Sequence, residues 1–238
     1  MAYDLISFDL DGTLVDSASE IAEAANRALA DHGIAPRPTR DITLLIGAGT
    51  RELMLRLLAQ AFLDEPPLVQ CTDVDAVLAR LDHHYAQTAG SSAVPYGGAR
   101  AALVQLKEAG VKLACVSNKE SRHLRRVLQA TRLDRFFDLV VGGDTWDEKK
   151  PHGSVLARVA RELRVDTRRM AHVGDSSLDV QAARNAGVAA WAVPYGYNAG
   201  RPIEEEKPQR VFRNLLEVAA HTLAQRRTNP LNVSMRAA

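Results

Sequence analysis

The chain has 238 residues, of which 46% are hydrophobic and 25% are charged, and its formal net charge is +1. This is ordinary globular composition, and the near-neutral charge gives no electrostatic reason to expect nucleic acid or an acidic membrane surface as a partner. No apolar run could span a bilayer, no secretory signal opens the chain, and Cys71 and Cys115 lack metal-ligand spacing, so we expect no membrane partner and a reducing cytoplasm.

The first predicted element is a buried strand, Leu5–Phe8, which is followed at once by Asp9, Asp11 and Gly12. Residues two apart on a strand point the same way, so both carboxylates should project from its carboxyl end, where glycine allows a sharp turn. Carboxylates this close repel each other unless a cation lies between them. Taken alone, the stretch is compatible with a metal site, with a nucleophile and its acid/base partner, or with a solvated turn.

Residues 17–90 are predicted to be helical, without a strand. A capping box begins at Ser17, and apolar periodicity places three further helices before residue 90, two of them on either side of Gly47-Ala48-Gly49. Backbone N–H groups just before a helix N-terminus suit a carboxylate. Gly47, Gly49 and Arg51 are therefore candidate substrate-binding residues, and a plain helix break is the alternative.

Strands and helices alternate from about residue 91. Four strands are predicted there, at 112–116, 139–141, 170–173 and 189–193. This alternation predicts an α/β fold with a doubly wound, mostly parallel sheet. We expect a core domain of residues 1–16 and 91–227, a helical domain of residues 17–90 inserted after the first strand, and a mobile tail of residues 228–238.

Polar residues follow each of the predicted strands that could form the centre of this sheet. In chain order they are Asp9, Asp11, Ser117, Asn118, Lys149, Lys150, Asp175 and Asp179. Ligands of open α/β sheets bind outside the carboxyl ends of the strands. Three of the aspartates offer the hard oxygen ligands that suit Mg²⁺, and hydroxyl, amide and lysine groups can hold an oxyanion. A carboxylate can also attack phosphorus while a second carboxyl acts as acid and then as base.

The chain resembles the haloacid dehalogenase-like hydrolase superfamily up to about residue 200. The matching stretches, in the superfamily's order, are Asp9-Leu10-Asp11-Gly12-Thr13, Val116-Ser117-Asn118, Lys150-Pro151 and Gly174-Asp175-Ser176-Ser177-Leu178-Asp179. The resemblance implies a Rossmann-like core, a mobile helical cap and Mg²⁺ as cofactor. It departs after Lys150-Pro151, where the superfamily often has an aspartate and a proline and this chain has His152-Gly153.

The resemblance also implies a role for each matched residue. Asp9 would be the nucleophile and a metal ligand, and Asp11 the acid/base, with its backbone carbonyl on the metal. Ser117 and Asn118 would hold the phosphoryl oxygens and Lys150 would neutralise them. Asp175 would complete the metal site, with Asp179 supporting it. Lys149 is expected to point away from this site, and His172 to satisfy local hydrogen bonds rather than to bind metal.

Asp11 favours a phosphatase or a phosphomutase, because the dehalogenase and phosphonatase branches lack an aspartate there. Two further stretches, at 14–17 and 195–198, are similar to phosphoglycolate phosphatases. The resemblance therefore implies Mg²⁺-dependent hydrolysis of a small phosphorylated metabolite, first of all 2-phosphoglycolate, through an aspartyl phosphate. The alternatives are another sugar-phosphate phosphatase, a β-phosphoglucomutase-like phosphomutase and, more remotely, a non-catalytic binding or regulatory protein. The oligomeric state stays open.

Overall fold

The structure, a computed structural model, describes residues 2–227, so the predicted tail of residues 228–238 lies outside the described residues. Eight strands form within the described part: β1 (Leu5–Phe8), β2 (Val15–Asp16), β3 (Val94–Pro95), β4 (Lys112–Val116), β5 (Leu139–Val141), β6 (Met170–Gly174), β7 (Ala189–Ala192) and β8 (Arg210–Val211). Six of them make one sheet in the order β5-β4-β1-β6-β7-β8, and every pairing in it is parallel. The predicted α/β fold with a parallel sheet is confirmed.

Ten α-helices connect and cover these strands within residues 2–227. They are α1 (Ala18–Asp31), α2 (Thr39–Thr43), α3 (Thr50–Asp64), α4 (Leu68–Cys71), α5 (Val74–Thr88), α6 (Ala99–Glu108), α7 (Ser121–Ala130), α8 (Ser154–Glu162), α9 (Ser177–Asn185) and α10 (Leu215–Arg227). None of the helices in this part of the chain is long and apolar enough to cross a membrane.

Helices α1 to α5 form a unit that we call the helical insert, residues 18–88. Among the long helices, α5 packs on both α1 and α3, and α2 packs on α1. Helix α1 buries Ile21, Ala25, Ala28 and Leu29, the apolar positions that recur at helical spacing in its sequence. The prediction that this stretch is helical and contains no strand is confirmed for its described residues.

The chain enters and leaves the helical insert through a small sheet that is not predicted from the sequence. Strands β2 and β3 pair antiparallel, with Val15 opposite Pro95 and Asp16 opposite Val94. The edge strand β8, which pairs with β7, is also missed. Each of these strands has only two residues, too few for an alternating pattern to show.

The centre of the sheet is buried. All four residues of β1 are buried, as a strand covered on both faces requires. Trp191 on β7 is also buried, and its ring meets those of Tyr3 and Phe212 edge-on, with centroids 4.7 and 5.3 Å away. The expected core positions of Trp191 and Cys115 are confirmed.

Candidate active site

The register of the sheet brings three loops together. Phe8, the last residue of β1, pairs with Cys115 of β4 on one side and with Val173 of β6 on the other. The three strands therefore end almost level, and Asp9, Ser117 and Asp175 follow at the same edge. These residues are only 6%, 5% and 2% exposed.

Lys150, in the loop between β5 and α8, is the cation of a buried acidic cluster. Its Nζ lies 2.9 Å from Asp9 Oδ1 and 2.6 Å from Asp179 Oδ1. His172 Nε2 lies 3.1 Å from the same Asp179 oxygen, while the Ser176 hydroxyl and N–H donate to Oδ2 and cap α9. Burial raises the pKa of Asp179, but Lys150 and His172 outweigh that effect and hold the pKa well below its usual range. Asp179 therefore stays ionised and anchors Lys150 beside Asp9.

Asp9 and Asp175 carry negative charge that the surrounding protein does not fully offset. Burial raises the pKa of Asp9 to about 6 although Lys150 acts against the shift. Burial and the neighbouring Asp179 and Asp9 also raise the pKa of Asp175 well above its usual value. Asp175 is held in place by the Thr13 hydroxyl, 2.7 Å from Oδ1, and by the Tyr197 N–H, 2.6 Å from Oδ2. A cation between these two carboxylates would relieve their repulsion.

The donor set fits Mg²⁺. Carboxylate oxygens of Asp9, Asp175 and Asp179 lie within 4.8 Å of one another. Asp9 Oδ1 is buried and no donor among residues 2–227 aligns a hydrogen bond with it, since its contact with Lys150 is ionic only. Asp179 is already engaged, which leaves Asp9 and Asp175 as the carboxylates suited to hold the ion. The Asp11 carboxylate is not part of this cluster, so a contact of Asp11 with the ion would come from its backbone carbonyl.

Asp11 is held by a second buried lysine that is not predicted from the sequence. Lys119 Nζ lies 2.8 Å from Asp11 Oδ1, and the Ser17 hydroxyl donates to the same oxygen. The Lys119 ammonium also donates to the hydroxyl of Tyr85, on α5 of the helical insert. Burial disfavours the charged form of Lys119, but Asp11 and Tyr85 more than compensate and raise its pKa above the usual value. The only sequence signal is its position directly after Ser117-Asn118.

The side-chain amide of Asn118 is hydrogen-bonded to other residues of the protein. Its Nδ2 donates to the carbonyls of Lys150 and Gly47, at 2.9 and 3.1 Å, and its Oδ1 accepts from the Lys150 N–H at 2.9 Å. The expectation that Asn118 holds a phosphoryl oxygen stays a prediction, and these contacts limit how it could do so. The amide fixes the backbone of the Lys150 loop, and a contact with phosphate would come from the Asn118 N–H.

A small cleft lies between the edge of the sheet and the helical insert. The sheet side supplies Asp9, Asp11, Ser117 and Lys119. The insert side is mostly apolar or backbone and consists of Ile21, Ile46, Gly47, Gly49, Thr50 and Leu53. Because the charged groups lie on the sheet side, the charged part of a ligand would lie against that wall.

The structure brings Gly47 and Gly49 to this cleft but does not bring Arg51 there. At Gly49 φ is +98°, and a Cβ would lie 2.9 Å from the Asn118 carbonyl oxygen, so only glycine fits without strain. Arg51 is exposed and lines a separate depression with Asp82 and Glu120. This placement corrects the expectation that Arg51 contacts the substrate, because a helix residue two positions past the loop points to another face.

Two further contacts hold the loop of residues 47–50 against the core. Lys149 Nζ donates to the Ala48 carbonyl at 2.8 Å, and the Thr50 hydroxyl donates to Glu120 Oε1 at 2.8 Å. Lys149 therefore turns away from the acidic cluster, as expected for the neighbour of Lys150. His172 also behaves as expected, because its Nδ1 lies 2.8 Å from the Ser7 hydroxyl while Nε2 faces Asp179.

Comparison with known proteins agrees with this geometry. The sequence model of the family described as haloacid dehalogenase-like hydrolase matches residues 6–193. The phosphoglycolate phosphatase of Pseudomonas syringae pv. tomato is 40% identical over 216 residues, which cover 89% of this chain and 76% of that protein. The phosphoglycolate phosphatase of Colwellia psychrerythraea is 34% identical, and the match covers 90% of this chain and 95% of that protein. The crystal structure of a predicted phosphoglycolate phosphatase from Haemophilus somnus superposes with a TM-score of 0.86 at 28% identity, covering 92% of this chain and 98% of that one. The chain belongs to the haloacid dehalogenase-like hydrolase family.

Proposed function

We propose that this chain hydrolyses 2-phosphoglycolate to glycolate and inorganic phosphate, with Mg²⁺ as its cofactor and the cytoplasm as its location. The observation that carries the substrate is the similarity to relatives named phosphoglycolate phosphatase along 89% of the chain. The cleft supports a phosphorylated substrate, because its sheet side brings together Asp9, Asp11, Ser117 and Lys119. The buried set of Asp9, Asp11, Lys150 and Asp175 supports a phosphatase rather than a binding protein, because binding alone needs no acid/base carboxyl.

Asp9 is the proposed nucleophile. One of its carboxylate oxygens forms a bond to phosphorus, and the bond between phosphorus and the glycolate oxygen breaks. Asp11 gives its proton to that departing oxygen, which becomes the hydroxyl group of glycolate. Because Lys150 Nζ lies 2.9 Å from Asp9 Oδ1, it holds the attacking group in place before the substrate arrives.

Water then resolves the aspartyl phosphate. The Asp11 carboxylate takes a proton from a water molecule, and the resulting hydroxide bonds to phosphorus. The bond between phosphorus and Asp9 breaks, which frees phosphate and regenerates the Asp9 carboxylate. Asp11 is protonated again and is ready for the next molecule of substrate.

Charge on the phosphoryl group must be balanced in a site that already holds several carboxylates. The Ser117 hydroxyl, the Asn118 N–H and Lys150 are the proposed donors to its oxygens. Mg²⁺, held by Asp9, Asp175 and the Asp11 carbonyl, would neutralise the charge between the nucleophile and the phosphoryl group. Asp179 supports both arrangements through Lys150, 2.6 Å away.

We further propose that residues 17–90 form a cap that selects the substrate while residues 1–16 and 91–227 form the catalytic core. The cleft between the two supports this division, since one wall comes from each. Gly47 and Gly49 would offer backbone N–H groups to the substrate carboxylate at the start of α3. Arg51 has no part in this proposal.

The test is to measure glycolate and free phosphate from 2-phosphoglycolate with Mg²⁺, for the wild type and for Asp9→Asn. The amide is a poor nucleophile, so the folded variant should lose turnover, and EDTA should stop the wild type. Glucose 1-phosphate serves as a control substrate, because its conversion to another hexose phosphate without release of phosphate would indicate a phosphomutase. Retained turnover in folded Asp9→Asn would disprove the nucleophile, and an inactive wild type on 2-phosphoglycolate would disprove the substrate.

A further inference from the structure

We propose that Lys119 and Tyr85 form a positioning pair that orients the Asp11 carboxyl for proton transfer, and that it does so only while the helical insert lies against the core. The inference rests on the proposed function, in which Asp11 is the acid/base, and it adds two residues that the family motifs quoted above do not include. Both side chains are buried, with Lys119 3% and Tyr85 1% exposed.

The Lys119 ammonium bridges two separate parts of the molecule. It lies 2.8 Å from Oδ1 of Asp11, in the loop after β1, and it donates to the Tyr85 hydroxyl on α5. A lysine ammonium has three donors, so these two contacts use most of its capacity and fix its position. A buried lysine that also lines the cleft is placed to orient a group there rather than to serve as surface charge.

The residue just before the helical insert and a residue near its C-terminal end both act on the same carboxylate oxygen. Ser17, which directly precedes α1, donates its hydroxyl to Asp11 Oδ1. Tyr85, near the end of α5, acts on that oxygen through Lys119. A displacement of the insert would therefore loosen Asp11 from two directions. This geometry links the closed arrangement of the cleft to the orientation of the acid.

Orientation of Asp11 matters most when the departing oxygen needs a proton. An alkoxide is a strong base and leaves with difficulty unless it is protonated, whereas p-nitrophenolate is stable as an anion. General acid catalysis contributes about 10²- to 10⁴-fold when the leaving group requires it. Loss of the positioning pair should therefore lower kcat/KM for alkyl phosphates and largely spare kcat/KM for p-nitrophenyl phosphate, because kcat/KM ends with the transfer of the phosphoryl group to Asp9. The later hydrolysis of the aspartyl phosphate, in which Asp11 is the base, is the same for every ester.

The experiment compares kcat/KM for three esters in Lys119→Met and Tyr85→Phe. The esters are 2-phosphoglycolate, 2-hydroxyethyl phosphate, which has a hydroxymethyl group in place of the carboxylate, and p-nitrophenyl phosphate. In Lys119→Met we expect kcat/KM for both alkyl esters to fall at least about tenfold more than kcat/KM for p-nitrophenyl phosphate. Tyr85→Phe should show a smaller loss with the same preference. Lys149→Met is the control, because Lys149 contacts the insert at Ala48 but does not contact Asp11, so any loss should be equal for 2-hydroxyethyl phosphate and p-nitrophenyl phosphate, neither of which has a carboxylate.

Two results would overturn the inference. Equal losses for all three esters would mean that Lys119 only maintains the structure. A loss confined to 2-phosphoglycolate would mean that Lys119 binds the substrate carboxylate instead of orienting Asp11. Circular dichroism checks folding, and if Lys119→Met is unfolded the result with Tyr85→Phe decides, since that change removes one hydroxyl. A wild type that hydrolyses 2-hydroxyethyl phosphate but not 2-phosphoglycolate would refute the proposed substrate, and the comparison of alkyl with aryl esters would still judge the positioning pair.

Discussion

Replacing Lys150 with methionine should destabilise the protein strongly in the absence of divalent metal. The change removes an ammonium that lies 2.9 Å from Asp9 Oδ1 and 2.6 Å from Asp179 Oδ1, and all three groups are buried. Removing one partner of a buried ion pair leaves an uncompensated charge and costs about 3–5 kcal/mol. In a protein of this length each kcal/mol lowers Tm by about 2–4 °C, so we expect a fall of about 6–20 °C.

The adjacent Lys149 provides a matched control. It is exposed, and within residues 2–227 its ammonium makes one hydrogen bond, to the Ala48 carbonyl. Surface changes of this kind shift stability by less than about 0.5 kcal/mol, so Lys149→Met should melt within about 2 °C of the wild type. The two variants remove the same charge from neighbouring positions, and only burial and ion pairing distinguish them.

Thermal unfolding followed by circular dichroism, with EDTA and then with Mg²⁺, is the assay. The pKa of Asp179 is lower in the folded protein than its ordinary value of 3.8. The ion pair of Asp179 therefore stabilises the fold fully above about pH 4, and this stabilisation is lost as the pH falls towards the pKa of the folded protein. The difference in Tm between wild type and Lys150→Met should therefore be large at about pH 7 and small below about pH 4. Mg²⁺ should also reduce this difference in Tm at about pH 7, because the ion supplies positive charge beside Asp9. Equal melting temperatures for the two lysine variants at about pH 7 would refute the assignment of Lys150 as the cation of the cluster.

Three further predictions concern the metal and the cleft. Burial raises the pKa of Asp9 from 3.8 to about 6, so without metal its contribution to stability is complete below about pH 4 and is lost as the pH rises through 6. Mg²⁺ requires the ionised carboxylate, so the gain in Tm on adding Mg²⁺ should grow between about pH 5 and pH 7, and a gain that does not change with pH would contradict this account. Gly49→Ala should lower kcat/KM for 2-phosphoglycolate by about tenfold more than Gly47→Ala. Both glycines have positive φ, but only a methyl group at residue 49 would meet the Asn118 carbonyl, at 2.9 Å. Similar losses in the two variants would show that this close contact does not matter. Arg51→Ala should leave the ratio of kcat/KM for 2-phosphoglycolate and p-nitrophenyl phosphate within about twofold, since Arg51 is exposed and outside the cleft, and a loss on 2-phosphoglycolate alone would contradict its placement.

The sequence by itself determined the fold and the ends of the strands that carry the chemistry. Buried parallel strands must be short apolar runs, so Leu5–Phe8 and Lys112–Val116 could be found by composition and by the turn residues that bound them. Because the ligand site of such a sheet lies at the carboxyl ends of its strands, the position of Asp9 and Asp175 in the chain was enough to predict that they meet. The helical insert could be predicted for the same reason, since its apolar residues recur at helical spacing.

Only the tertiary structure decided which side chains face one another across the cleft. The contact of Lys119 with Tyr85, the use of the Asn118 amide against Gly47 and the exclusion of Arg51 all depend on how the insert packs on the core. Local periodicity contains no information on that packing, because it specifies which face of a helix is buried but not which partner covers it. A lysine directly after Ser117-Asn118 has no apolar pattern to place it, and only the pairing of its charge with Asp11 in a buried site shows where it points.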